Sequence, residues 1–433
     1  MTDSGSRPRE SLPGPSSSAP PGWDFLFTEA GLGIAGRASA QLAGGAQSDS
    51  LNAALRREGL APEQVAAVLT QAELRAKAEA KFGELSPDLL FTRAGLEQAT
   101  RAEVAALHAA RFRGAGIRSV ADLGCGIGAE SLALLGAGVA PLPVELDPLT
   151  ARIAQHNLAV AAERGSRAVP EVVVGDAESV GPRDAEAAFL DPARRTAGHS
   201  DTRRLASPDD YSPSLSFAFG LAAHMPVGVK LGPGLDHELI PDDAEAQWVS
   251  VGGQLVETGV WFGALARPGI RRSALVLGAQ GAQDPQGAHE PQAPHELAAQ
   301  APAADAQVRP LGEFLFEPDG AVIRARLIGR LAELLGAGMV SPGIAYLTGD
   351  DPVTSPFAQS FRILEELPAR EKELRRALQQ RDIGRLEIKK RGADVDPAAL
   401  RKRLKLRGAG SATLFLTRAE GRHVALLAER LRP

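Results

Sequence analysis

The chain has 433 residues, of which 44% are hydrophobic and 23% charged, with a formal net charge of −5. This length predicts two or three domains with ordinary hydrophobic cores, while the single cysteine excludes an intrachain disulfide framework and a cysteine-based zinc cluster. The eight histidines form no metal-binding signature, and neither an apolar signal core nor a run of about 18 apolar residues is evident, so we expect a cytoplasmic protein without metal or membrane partners.

Charge is distributed unevenly along the chain. The segment from Leu367 to Pro433 contains 18 Lys and Arg residues against 8 Asp and Glu residues, a net of +10, so the preceding part carries −15. A basic end joined to an acidic body predicts a polyanionic partner for that end.

The N-terminal third contains two kinds of segment. Residues 1–21 are rich in Pro and Ser and predict a disordered leader. Residues 22–114 are rich in Ala, Leu, Glu and Arg, and apolar side chains recur at helical spacing in Pro62–Phe82. We therefore expect an α-helical N-terminal domain.

Residues 115–280 alternate short apolar runs with helix-like segments, which is typical of a parallel, doubly wound α/β sheet. Gln254–Phe262 and Ser273–Gly278 lie close together and are expected to be antiparallel strands that close the sheet. The preceding strands are expected at Ser119–Gly124, Pro141–Asp147, Glu171–Asp176, Ala187–Pro192 and Val227–Gly232.

The C-terminal part begins with residues 281–308, whose Gln, Ala and Pro content predicts a low-complexity linker or insertion. Residues 309–366 are interpreted as a connecting segment with a helix at Val322–Gly336. Residues 367–433 alternate helical and strand patterns and predict a small, basic α+β domain. Its elements are expected at Ala369–Gln380, Arg385–Lys389, Pro397–Leu406, Ala412–Thr417 and Val424–Ala428.

The turn Val120–Glu130 places three glycines at alternate positions directly after an apolar strand. Read as Gly124, Gly126 and Ala129, it also fits the relaxed dinucleotide fingerprint G-x-G-x-x-G/A. Asp122 argues against that reading, because a carboxylate there would repel a pyrophosphate. The same carboxylate can accept hydrogen bonds from the α-ammonium of S-adenosylmethionine.

Acidic residues end four successive predicted strands, at the edge where open α/β sheets bind ligands. Glu145 follows Asp122 by 23 residues, close to the interval of roughly 20 expected for a ribose-binding acid. Asp176 ends the third strand, where its carboxylate could reach an adenine amino group. Asp191 ends the fourth strand.

This order of motifs over residues 115–280 resembles the class I S-adenosylmethionine-dependent methyltransferases. The turn DLGCGIG, the second-strand motif VELDP, and the later GDA and DPAR carry the resemblance. It implies a Rossmann-like core whose glycine turn contacts the methionine part of S-adenosylmethionine, with acids that hold the ribose and adenine. The residues implied in cofactor binding are Asp122, Gly124, Gly126, Gly128, Glu145, Asp176 and Ala177.

The acid-proline pair after the fourth strand resembles the motif with which nucleic-acid methyltransferases face the target atom. The match is partial, because Ala193 and Arg194 replace the second proline and the base-stacking aromatic. Arg194 or Arg195 could instead hold a phosphate by a bidentate contact. We predict Asp191, Pro192 and Arg194 as catalytic residues.

The single cysteine bears on the mechanism. Carbon-5 methylation of pyrimidines uses a cysteine nucleophile outside the cofactor turn, whereas Cys125 lies inside it. Direct transfer to the acceptor is therefore expected, with catalysis mainly by positioning.

The C-terminal segments 385–392 and 394–408 resemble the THUMP-like domain found in a group of methyltransferases inferred to act on RNA. This implies an RNA substrate, either tRNA or rRNA, and few aromatic residues lie nearby for base stacking. The small-molecule methyltransferase and the non-catalytic RNA-binding protein remain as alternatives. The cations expected to contact phosphates are Lys389, Lys390, Arg391, Arg401, Lys402, Arg403, Lys405 and Arg407.

Overall fold

The computed structural model describes residues 19–194, 211–278 and 293–431. These residues fall into two compact units, one within Met1–Val229 and Phe262–Leu265, the other within Lys230–Trp261 and Ala266–Pro433. Over the described ranges, no helix combines the length and the apolar character needed to cross a bilayer.

The first unit opens with helices, as the sequence predicts. Thr28 caps α2 by accepting a hydrogen bond from the Gly31 amide, and Pro62 occupies the first turn of α4, where its missing N–H costs nothing. The helices are α1 (Trp23–Leu26), α2 (Glu29–Ala43), α3 (Ser48–Arg57), α4 (Pro62–Phe82), α5 (Arg93–Gln98) and α6 (Ala102–Gly114).

A parallel sheet follows, with the strand order β7-β4-β1-β2-β3. All of its neighbouring strands pair in parallel, which confirms the predicted doubly wound core. Its strands are β1 (Ser119–Leu123), β2 (Ala140–Glu145), β3 (Val173–Val174), β4 (Ala187–Leu190) and β7 (Val227–Leu231), with a small antiparallel pair, β5 (Ala193–Arg194) and β6 (Tyr211–Ser212). The intervening helices are α7 (Ala129–Ala137), α8 (Pro148–Arg164), α9 (Ala177–Val180) and α10 (Leu215–Leu221).

The N-terminal helices and the sheet helices share one hydrophobic core. The cluster that contains Trp23, Val68 and Phe91 also contains Leu132 of α7 and Ile153 of α8. The N-terminal helices are therefore packed against the helices that follow the first two strands, so both segments contribute to one buried core.

The second unit contains a four-strand segment with the order β11-β10-β8-β9. Its strands are β8 (Glu245–Val251), β9 (Gln254–Phe262), β10 (Arg272–Leu277) and β11 (His295–Ala299). The two strands expected at Gln254–Phe262 and Ser273–Gly278 are present as β9 and β10. Strand β9 is antiparallel to β8, as expected, whereas β10 is parallel to β8.

Two of these strands, β8 and β11, were not predicted from the sequence. All seven residues of β8 are buried, although Glu245 and Gln247 interrupt its apolar pattern. Arg267 neutralises Glu245 with an ion pair of 2.5 Å and also pairs with Glu296 of β11. Strand β11 lies inside the predicted linker, where a strand was not expected, and residues 281–292 of that linker lie outside the described residues.

A seven-stranded sheet with the order β13-β14-β12-β15-β18-β17-β16 forms the rest of the second unit. It extends into residues 309–366, and the helix expected at Val322–Gly336 is two helices interrupted near Arg326, which has a φ of 57°. Its strands are β12 (Phe314–Pro318), β13 (Gly338–Met339), β14 (Leu347–Gly349), β15 (Ala358–Leu367), β16 (Ile383–Lys390), β17 (Gly410–Ala419) and β18 (Arg422–Arg430); its helices are α11 (Gly320–Arg324), α12 (Ile328–Leu335), α13 (Glu371–Gln380) and α14 (Pro397–Leu404).

Candidate cofactor site and active site

The glycine turn joins β1 to α7 at the carboxyl edge of the parallel sheet. Gly124, Gly126 and Gly128 have φ values of 91°, 56° and 91°, a region that favours glycine. The Gly124 and Cys125 amides both donate to the carbonyl of Val144 at 2.9 Å, which fixes the turn against the end of β2. The backbone of the turn is thereby held open for a ligand that approaches it closely.

Glu145, the last residue of β2, connects the turn to the next helix. Its Oε2 accepts a hydrogen bond from the Gly126 amide and its Oε1 accepts one from the Asp147 amide, both at 2.9 Å. Burial raises the pKa of Glu145, and these two amide donors oppose that effect. Each carboxylate oxygen has a second lone pair, so the same group can also accept hydrogen bonds from ribose hydroxyls.

The structure brings Asp176 to the same edge, because β3 pairs with the end of β2. Asp176 is exposed and caps α9 by accepting a hydrogen bond from the Ser179 amide at 2.9 Å. Ala177 is buried at the start of α9. Leu146 directly follows Glu145 and is 52% exposed, which offers an apolar surface for a base.

Asp122 lies beneath the turn and is only 2% exposed. The Ser131 hydroxyl in α7 donates to its Oδ2 at 2.6 Å. Burial raises the pKa of Asp122 to about 7, and the nearby carboxylates of Glu130 and Asp191 act in the same direction. Glu130 is itself buried, with an oxygen 3.2 Å from His108 Nδ1. The turn therefore rests on a concentrated set of carboxyl groups, which would favour a cationic ligand.

Asp191 follows β4 and is half-buried, close enough to Asp122 to disfavour ionisation of the latter. Pro192 is buried, and the next two residues form β5. In the β5–β6 pair, Tyr211 lies in register with Arg194 and is 3% exposed. An aromatic residue thus lies opposite Arg194, two residues after Pro192, although the local sequence lacks one. Arg195 lies outside the described residues.

The Cys125 thiol is unsuited to act as a nucleophile. It is buried within the turn, and burial raises the pKa of its thiol well above the ordinary value. The neighbouring carboxylates of Asp122 and Glu145 act in the same direction.

Asn157 of α8 links the glycine turn to the N-terminal helical region, at the loop that precedes α5. Its Nδ2 donates to the carbonyls of Ile127 at 2.9 Å and Leu90 at 3.1 Å, and its Oδ1 accepts from the Leu90 amide at 2.8 Å. The side chain is fully buried. The sequence analysis missed Asn157, Ser131 and Tyr211, because none of them stands in a motif, and it gave no role to Leu146 within the VELDP motif.

The cations expected to contact phosphates lie in the second unit and fall into two groups. Lys389 is largely buried and its Nζ lies 2.6 Å from Glu317, while Arg391 is half-buried with the same acid 3.9 Å away. The other six are exposed, although Arg403 pairs with Glu371 at 2.9 Å and Arg401 donates to the Leu386 carbonyl. The exposed group is Lys390, Arg401, Lys402, Arg403, Lys405 and Arg407.

Two relatives decide the family. Uncharacterized S-adenosylmethionine-dependent methyltransferases of two Mycobacterium tuberculosis strains, CDC 1551 / Oshkosh and H37Rv, are each 36% identical to this chain over 358 residues, covering 80% of this chain and 90% of theirs. The chain belongs to the S-adenosylmethionine-dependent methyltransferases. It is an enzyme of that family, and its cofactor is S-adenosylmethionine.

Other comparisons agree with the fold of this methyltransferase. The crystal structure of an inferred methyltransferase from Porphyromonas gingivalis W83 superimposes with a TM-score of 0.65 at 22% identity, covering 94% of this chain and 99% of that one. A family described as THUMP domain-like matches residues 358–430, and a domain of unknown function matches residues 21–78. The resemblance of the C-terminal region to THUMP-like domains is thus confirmed, and the match begins nine residues before Leu367.

The residues at the sheet edge fit this cofactor. The three positive-φ glycines present no side chain at alternate positions of the turn, the buried carboxyl of Asp122 suits an ammonium group, and Glu145 has lone pairs for ribose hydroxyls. When bound, S-adenosylmethionine supplies an electrophilic methyl group. Over the described residues, no three His, Cys, Asp or Glu side chains cluster closely enough to hold a metal ion.

Proposed function

We propose that this methyltransferase acts on RNA, either tRNA or rRNA, by direct methyl transfer without a cysteine nucleophile. The observation that carries the proposal is the group of six exposed cations in the THUMP-like region. Exposed Lys and Arg side chains neutralise successive phosphates with little regard for sequence. The buried Cys125, whose thiol pKa is raised, supports transfer without a covalent enzyme intermediate.

Asp191 is proposed to orient the acceptor and to take its proton as the methyl group is transferred. It directly follows β4, the strand next to β1, and its charge acts on the Asp122 carboxyl, which supports a place for Asp191 at the proposed cofactor edge of the sheet. Arg194 is proposed to hold a substrate phosphate, and Pro192 to fix the direction of the chain between them. Cofactor contacts are proposed for Asp122, Gly124, Gly126, Gly128, Glu145, Leu146, Asp176 and Ala177.

The substrate is tested by transfer of labelled methyl groups from S-adenosylmethionine into total RNA of a strain that lacks the gene, followed by mass analysis of the nucleosides. Labelled RNA with one new methylated nucleoside is expected, and its absence in all RNA fractions would overturn the RNA proposal. Asp191→Asn should lower kcat about 10²- to 10⁴-fold. At about pH 8, where Asp122 is mostly ionised, the affinity of this variant for S-adenosylhomocysteine should equal that of the parent protein if Asp191 acts on the acceptor.

The basic surface is tested with a charge-matched pair of triple variants. Replacing three exposed lysines of the THUMP-like region by alanine should lower the slope of log affinity against log salt by about 2 for single-stranded RNA. The control removes three exposed cations from the N-terminal helices and should leave the slope unchanged. The lysines are Lys390, Lys402 and Lys405; the control residues are Arg57, Lys77 and Arg113. Equal slopes in the two variants would contradict this surface as the RNA contact.

A further inference from the structure

A cavity of about 310 Å³ lies in the second unit, and none of its lining residues belongs to the proposed cofactor site. Its walls come from the end of β12 and the start of α11, the start of β15, the end of β16 and the turn between β8 and β9. Ligand pockets typically measure about 300–1,000 Å³, so this cavity has the size for one small ligand. Its polar lining includes Glu317, Asp319, Ser355, Gln359, Lys389 and Arg391.

The curvature of the seven-stranded sheet builds this cavity. Strand β16 is the fourth strand from β12 in the sheet order, yet Lys389 Nζ of β16 lies 2.6 Å from Glu317 Oε2 of β12. The sheet therefore curls until these strands approach each other. Glu317 lies directly opposite Gln359 of β15 in the antiparallel register, so the two side chains share one face beside the cavity.

The charges around the cavity balance. Two carboxylates, Glu317 and Asp319, face two cations, Lys389 and Arg391. A phosphate would meet both carboxylates and a metal ion would meet both cations, so neither fits well. A neutral ligand that offers both hydrogen-bond donors and acceptors does fit.

Two groups have unused hydrogen-bonding capacity. Gln359 Oε1 is buried and accepts no hydrogen bond from any residue in the described ranges. A buried acceptor without a donor destabilises the fold, which favours a donor supplied by a ligand. The Arg391 guanidinium lies 5.0 Å from the Tyr346 ring, and its nearest Glu317 oxygen at 3.9 Å is too far for a hydrogen bond. One N–H group of Arg391 hydrogen-bonds the Tyr346 hydroxyl, and the guanidinium has further N–H donors for an acceptor.

We propose that this cavity binds a single unpaired guanine base, carried by a free nucleotide or by the RNA substrate. Guanine presents O6 and N7 as acceptors, the pair that Arg recognises. Its N1–H and N2 amino groups supply donors for a carboxylate and for Gln359 Oε1. Adenine lacks the O6 acceptor and the N1–H donor. The RNA-linked form rests on the proposed function, whereas the free-nucleotide form does not.

Calorimetric titration of the full-length protein with GMP, IMP and AMP tests the base. GMP should bind most tightly, and IMP, which lacks the N2 amino group, should bind about tenfold more weakly if one hydrogen bond is lost. Gln359→Leu should weaken GMP binding about tenfold. Gln379→Leu is the control, because Gln379 is an exposed residue of α13 that does not line the cavity. Thermal melting of both variants checks that they fold.

A short labelled uridine oligonucleotide with or without one central guanosine distinguishes the two carriers. If the guanosine tightens binding in the parent protein and not in Gln359→Leu, the RNA-linked base is supported. GMP binding without that preference supports the free nucleotide. Equal affinities of GMP and AMP, or unchanged GMP affinity in Gln359→Leu, would overturn the proposal, as would no binding of any nucleotide or guanosine-containing RNA.

RNA methylation is measured in parallel, so that the two proposals fail separately. Methyl transfer to RNA without any guanine binding rejects the cavity proposal alone. Guanine binding without methyl transfer to RNA rejects the proposed RNA substrate alone, and the free-nucleotide form then stands.

Discussion

We predict that the ionisation of Asp122 gives cofactor binding a measurable pH dependence. Burial raises the pKa of this carboxyl from 3.8 to about 7, so much of it is protonated in the ligand-free protein below pH 7. The α-ammonium group of the cofactor favours the ionised form. Binding below about pH 7 should therefore release a proton, and affinity should rise with pH.

The magnitude follows from the pKa. If only the ionised form binds, affinity for S-adenosylhomocysteine should be about tenfold weaker at pH 6 than at pH 8 for a pKa near 7. The stability of the ligand-free protein should change with pH in the opposite direction to the affinity. Because the folded-state pKa lies above the unfolded-state value, the free energy of unfolding should fall between about pH 4 and pH 7, by at most about 4 kcal/mol.

Calorimetric titration with S-adenosylhomocysteine at about pH 6, 7 and 8, in buffers of different ionisation enthalpy, measures both affinity and proton release. Asp122→Asn should bind more weakly and lose most of the pH dependence, because the amide does not titrate in this range. An affinity that stays constant over this range in the parent protein, with no proton release, would refute the proposed contact between Asp122 and the α-ammonium group.

Three further substitutions test the site. Glu145→Gln should weaken S-adenosylhomocysteine binding by about 10- to 100-fold, because hydrogen bonds to a charged group contribute about 1.5–3 kcal/mol. Glu163→Gln, on the exposed face of α8, is the control and should leave the affinity unchanged in the same titration. Gly128→Ala should lower the free energy of unfolding by about 1–2 kcal/mol in a denaturant titration, because φ at Gly128 is 91°. Gly136→Ala, inside α7, should raise the free energy of unfolding by about 0.5–1 kcal/mol. Equal effects of the two substitutions would contradict the role of backbone conformation. Asn157→Leu should cost about 2–5 kcal/mol, since three hydrogen bonds are lost, and should also weaken cofactor binding; a lower melting temperature with unchanged affinity would show that Asn157 does not position the turn.

Several features of this methyltransferase could be read from the sequence because they depend on short-range patterns. The alternation of apolar runs and helical segments predicts the parallel sheet, and the expected strand at Pro141–Asp147 corresponds to β2 at Ala140–Glu145. Motif order also brings Glu145 and Asp176 to one edge, because carboxyl ends of neighbouring parallel strands lie together.

Other features depend on partners that are distant in the sequence. Glu245 of the buried strand β8 pairs with Arg267, and the two residues are too far apart in the sequence for a local pattern to predict this ion pair. The basic run in the sequence predicts that Lys389 contacts phosphate. In the structure, the curled sheet places the Lys389 side chain against Glu317. A composition count cannot separate it from Lys390, which is exposed.

The sequence by itself determined the family resemblance and predicted the glycine turn as the cofactor-binding turn, because glycine spacing and strand-end acids are local properties of the chain. Only the tertiary structure decided that Asp122 is buried, which sets the pKa of its carboxyl, and that Asn157 fastens the turn to the N-terminal helical region. Burial and long-range hydrogen bonding depend on which segments meet in space, and this information is spread over the whole chain.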